Sequence, residues 1–141
     1  MTNEQVFVKE RFLIVKARLE NPNADIEPPI RMRLQREHRL LDRLRHEVPE
    51  GEVLATLTDW RVFLGSKLVA HKKATRAQQE AYDAWLRLPR HRKEEVRQPE
   101  RPSLGTTVKD ANGYSWVIDD RFLLMMDDLI NRLQKWLAGG G

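Results

Sequence analysis

Apolar residues recur at steps of three and four along most of this chain, and prolines end one run after another. This pattern constrains the fold more than any single motif. A 3.6-residue period gathers such residues on one helix face, and proline cannot continue a helix interior. Val8, Phe12, Val15 and Leu19 form the first run, introduced by Thr2 and Gln5 as a capping box and stopped at Asn21-Pro22. They predict a helix over 3–20. The segment NPNADIEPP, 21–29, reads as a loop. A second helix starts near Pro29, carries Ile30, Leu34, Leu41, Leu44 and Val48 on one face, and ends at Pro49-Glu50-Gly51.

Trp60, Leu64 and Leu68, followed by Ala77, Ala81, Ala84, Trp85 and Leu88, predict helices over about 59–73 and 76–88, with a single bent helix as the variant reading. Thr75 and Gln78 offer a second capping box, and Pro89 closes the run. RHRKEEVRQPERP, 90–102, holds two prolines and Val96 as its one apolar residue, which reads as an exposed charged connector. The last helix spans about 120–138. Asp119 or Asp120 caps it, and Phe122, Met126, Leu129, Leu133 and Trp136 line one face, widened by Met125, Ile130 and Leu137. Gly139 stands where a left-handed terminus is favoured, and Gly139-Gly140-Gly141 reads either as a flexible tail or as an added remnant.

KDANGYSWVIDD, 109–120, has the look of a calcium loop. Aligning Asn112 and Gly113 with its fifth and sixth positions puts Val108 first, where an aspartate is needed, and Asp119 twelfth, where a longer glutamate chelates better. Asn112-Gly113 is instead the preferred pair for a tight hairpin turn, and Tyr114, Trp116 and Ile118 alternate onto one sheet face. The hairpin is expected over about 106–118. The fold class that follows is mainly α, a compact bundle of about five helices with a short β-hairpin before the C-terminal helix, in one domain over 1–141.

At 141 residues, with 40% hydrophobic and 33% charged, the chain has enough apolar surface for one folded core. It has no cysteine, which excludes disulfides, thiolate nucleophiles and cysteine-ligated metal centres. No apolar run reaches the roughly 18 residues of a spanning helix, and no signal core follows the N-terminus, so a cytoplasmic protein without membrane contact is expected. Catalysis has no foothold. There is no glycine-rich phosphate loop and no paired HExxH helix, and Ser66, Ser103 and Ser115 lack a nucleophile elbow. Asp119-Asp120 reads as a helix cap, and Asp127-Asp128 as an exposed pair beside Arg132. No enzyme activity and no cofactor are expected. His38, Asp42 and His46 share a strip of the second helix, but the two histidines would lie about 12 Å apart along the axis, too far to hold one metal.

The formal charge of +4 is unevenly placed. Residues 31–102 carry seventeen lysines and arginines against eleven carboxylates, while both ends are slightly acidic. On a helical wheel Arg36, Arg39 and Arg43 lie away from the apolar face of the second helix, flanked by Arg31, Arg33 and Arg45, and form a candidate phosphate track. Lys67, Lys72, Lys73 and Arg76 gather where the third and fourth helices meet, with Arg90, Arg92 and Lys93 able to join them. Trp116 and Tyr82 are candidates for stacking single-stranded bases. The leading expectation is a non-catalytic basic helical subunit contacting DNA or RNA backbone without reading sequence, within a nucleoprotein assembly. The alternative is a helical adaptor or structural subunit that binds another protein, or its own copy, through Met125, Met126, Leu129, Leu133, Trp136 and Leu137.

Overall fold

Thr2 Oγ1 accepts a hydrogen bond from Gln5 N at 3.3 Å and opens α1 (Asn3–Glu20). The returning half of the capping box is absent, because the Gln5 amide reaches the carbonyl of Val48 instead, 43 residues on. α2 (Pro28–Glu47) begins on two prolines, which cost nothing at a helix start because amides there have no intrahelical partner. α3 (Val53–Ala74), α4 (Arg76–Leu86) and α5 (Arg90–Glu95) follow, then β1 (Thr106–Lys109), β2 (Ser115–Ile118) and α6 (Asp120–Gly139). These come from a computed structural model that describes residues 2–139. The chain is mainly α-helical, with six helices among the described residues and one two-stranded antiparallel hairpin before the last of them.

Several boundaries differ from the expected ones, each for a physical reason. α3 starts at Val53, six residues early, because the Glu4 carboxylate of α1 accepts from Val53 N at 3.0 Å and caps the helix from a distance. Thr75 does not cap α4 with its side chain. Its hydroxyl donates to His71 O at 2.9 Å, and its amide and carbonyl continue the helical ladder to His71 and Gln79, so α3 and α4 run on through a single non-helical residue. The 90–102 connector contains α5 as a one-and-a-half-turn helix behind Pro89. Gly139 ends α6 in helical conformation and not in the left-handed one. Gly140 and Gly141 of the terminal triplet lie outside the described residues.

The hairpin pairs Thr106 with Ile118 and Lys109 with Ser115. Its turn is one residue wider than a two-residue turn on Asn112-Gly113. Gly113 N donates to Asp110 O and Asp110 N to Tyr114 O, both at 3.0 Å, and only Gly113 takes a positive φ, +81°. Three residues, 111–113, therefore make the loop, the arrangement in which a left-handed glycine follows the turn. Asp110, within the calcium-like stretch, spends its carboxylate on this turn: Oδ1 accepts from Asn112 N and Tyr114 N, and Oδ2 from Trp116 Nε1. No group of three or more metal-ligating side chains occurs among the described residues.

The contacts divide the chain into two units, one running up to Phe63 and resuming at Arg121, the other covering Leu64–Asp120. In the first, α1 packs along α2, and the buried side chains are Phe7, Val8, Phe12 and Val15 of α1, Leu34, Leu40, Leu41 and Leu44 of α2, Val48, Val53, Leu57, and the inner face of α6. The inner face of α2 is the expected one at Leu34, Leu41, Leu44 and Val48, widened by Glu37, Leu40 and Arg43, and it fails only at the helix start. Ile30 is 40% exposed, while Glu37 is buried and holds Arg11 at 2.7 Å. In the second unit the buried apolar chains are Leu64, Leu68, Trp116 and Ile118. α4 has none, so Ala77, Ala81 and Ala84 are exposed and Trp85 and Leu88 half-buried, where an inward stripe was expected.

Candidate nucleic-acid interface

The wheel places Arg36, Arg39 and Arg43 on one outward strip, but the fold scatters them. Arg43 is buried, ion-paired to Glu47, with its guanidinium 4.8 Å from the centre of the Trp60 ring. Arg36 is half-buried and lies 4.7 Å over Phe122. Arg39 alone of the three is fully on the surface. On the flanks Arg33 reaches Asp128 at 3.6 Å, Arg45 covers Phe12 at 4.0 Å, and Arg31 is half-buried. Guanidinium planes stack readily on aromatic faces, so these arginines cover the rims of the first unit's core and do not form a continuous phosphate track. A wheel knows one helix only. It did not show that Trp60 of α3 and Phe122 of α6 would lie under that strip.

The second basic group is built differently. Lys72, Lys73 and Arg76 project from the α3–α4 junction, where the continued helical ladder holds the two helices' ends together, and all three are exposed. With His71, Thr75, Gln79 and Glu80 they line a groove of about 530 Å³ together with Val69, Ser103, Leu104 and Asp120. His71 Nε2 lies 2.8 Å from Ser103 O, which ties the Pro-rich segment to α3. The Ser103 hydroxyl donates to Gly105 O at 2.7 Å. Gly105 presses on β2 so closely that a Cβ there would sit 2.6 Å from Ile118 O. Lys72 Nζ bonds Asp120 Oδ1 at 2.7 Å, both groups more than half exposed. Between Lys67 and Arg101 ten lysines and arginines stand against five carboxylates.

Arg90, Arg92 and Lys93 do not line this groove. Lys93 is half-buried with Nζ 5.2 Å over Trp85, Arg92 is 3.8 Å from Glu95, and Arg90 is exposed. Neither stacking candidate is an open platform. Trp116 is buried against the Asp110 turn, with the Tyr114 ring edge-on at 5.0 Å, and Tyr82 has Arg101 over its ring at 5.8 Å. Sequence reading found the three cations but missed Val69, His71, Ser103 and Leu104. The one signal for the last of these was an isolated leucine just past a proline-rich charged stretch.

The other residues singled out from the sequence are engaged within the chain. His38 stacks on Phe12 with centroids 4.7 Å apart, and His46 Nδ1 is 3.3 Å from Asp42 Oδ1. Asp128 pairs with Arg132 at 2.9 Å as expected, while Asp127 takes a two-bond grip from Arg61 of α3 at 2.8 and 3.2 Å. The apolar stripe of α6 is not a free docking face. Met125, Met126, Leu129 and Leu133 are at most 3% exposed, inside the first unit. Trp136 and Leu137 are half-buried, with Trp136 Nε1 donating to Asn3 O at 3.1 Å. No helix among the described residues is long and apolar enough to cross a membrane. No protein-family model, no curated protein and no solved structure matches this chain.

Proposed function

We propose that the Leu64–Asp120 unit holds the sugar-phosphate backbone of a nucleic acid in the groove at the α3–α4 junction, without catalysis and without reading sequence. The observation that carries this reading is the convergence of Lys72, Lys73 and Arg76 on one concave surface. It lies within a stretch where cations outnumber carboxylates two to one. A long polyanion fits such a field better than a compact ligand does, because the unit's other exposed cations, Arg90 and Arg101 among them, are not part of the groove lining. Binding of this kind draws on counterion release, so it is salt-dependent and tolerant of sequence. With three phosphates engaged, affinity is expected to fall about 20- to 40-fold between 50 and 200 mM salt.

The test is fluorescence anisotropy with labelled DNA and RNA at those two salt concentrations, run on the wild type and on Lys72→Glu, Lys73→Glu and Arg76→Glu. Each reversal weakens binding and flattens the salt slope under this proposal. Binding that ignores all three reversals, or no binding at 50 mM salt, defeats it.

A further inference from the structure

We infer that this same groove prefers single-stranded to duplex nucleic acid, seating one unstacked base between Val69 and Leu104 while Lys72, Lys73 and Arg76 hold the adjoining phosphates. The inference rests on the backbone-binding reading and adds which form of nucleic acid is taken.

The groove is not only a cluster of cations. Val69 is 53% and Leu104 65% exposed. These aliphatic side chains, 35 residues apart in sequence, line one groove together with the three cations. A volume of about 530 Å³ falls within the roughly 300–1,000 Å³ of small-ligand sites. That is room for a nucleobase and its sugar. A duplex keeps its bases stacked inside and offers the groove only charge and sugar, which leaves both aliphatic walls in water. A single strand can splay a base outward and cover them, with the phosphates on either side still within reach of the cations.

The wall that carries Leu104 is held in place before any ligand arrives. Ser103 O is bound to His71, the Ser103 hydroxyl to Gly105, and Gly105 sits hard against Ile118 O of β2. A preformed slot spares the ordering cost of closing a loop on the ligand. Lys72 is held beside the groove by Asp120, and an entering phosphate shares that ammonium group or displaces the carboxylate from it. Aromatic stacking is not the device here, because Trp116 is buried and Tyr82 already carries Arg101. An aliphatic slot without a fixed pattern of donors takes any base.

The probes are a 12-nucleotide single strand, its blunt duplex and the same strand made abasic, each as DNA and as RNA, with an acidic leucine-containing peptide as competitor. The single strand is expected to bind about tenfold more tightly than the duplex at equal salt, and the abasic strand to fall to the duplex level. Val69→Ser and Leu104→Ser, both at exposed positions that should leave folding intact by circular dichroism, erase the preference and leave duplex affinity unchanged. Equal binding of all three probes, unaltered in both variants, overturns the base slot while the backbone reading survives. No nucleic-acid binding at low salt removes both, and binding of the peptide alone reassigns the groove to an acidic protein segment.

Discussion

Arg39 and Arg43 stand one helical turn apart on α2, have the same chemistry, and do different work. Arg43 is sandwiched between Glu47 and the Trp60 ring, so Arg43→Ala removes packing as well as charge and is expected to cost about 1–2 kcal/mol. Arg39→Ala, at an exposed position, should stay within about 0.5 kcal/mol. Urea denaturation of the two variants measures the difference, and equal midpoints would return Arg43 to the surface track expected from the wheel. Gly105 makes the same point about backbone. Nothing in its sequence context marks it out, yet an added Cβ would meet Ile118 O at 2.6 Å. Gly105→Ala is therefore expected to destabilise the hairpin by about 1–3 kcal/mol, read as a lower thermal midpoint together with loss of the buried Trp116 fluorescence signature. An unchanged midpoint would mean that the β1 entry can shift without strain. Gly113, by contrast, announced a turn plainly, because tolerance of positive φ is a property of the residue itself, although Asn112 keeps a negative φ and the loop is one residue wider than the pair suggested.

Among the elements, α1, α2 and α6 were legible, while the start of α3 and the short or weakly buried helices were not. α1 and α6 have the lengths expected from their spacing and flanks, because periodicity and end signals act within a few residues. The start of α3 was missed since its cap is Glu4, 49 residues away. α5 was missed since five charged residues and a histidine, with no apolar position among them, show no period at all. α4 was placed correctly but given an inner face that it lacks. With no fully buried residue in α4 or α5, little core packing shelters their amide ladders, and such segments open locally well below the global unfolding free energy. Native-state hydrogen exchange should find α4 and α5 amides at least about tenfold less protected than those of α2 and α6. Comparable protection in all four would show that α4 is covered by something other than this chain.

For the molecule as a whole, the fold class was readable and the placement of charge was not. Cation counts marked residues 31–102 as positive, and within them Lys72, Lys73 and Arg76 line one groove. The arginine-rich helix that looked like the stronger site instead spends three of its six guanidiniums, those of Arg36, Arg43 and Arg45, on Phe122, Trp60 and Phe12. The C-terminal stripe that looked like a docking face is the interior of the first unit. By itself the sequence determined where α1, α2 and α6 run, that a hairpin precedes the last of them, and that no cysteine chemistry is open to the chain. Each of these depends on residue type and near neighbours alone. Only the tertiary structure decided which charges meet water and which meet rings, and that Val69 and Leu104 flank the same three cations. Burial and juxtaposition depend on segments far apart in the chain, and no local pattern records which segment will come to lie against which.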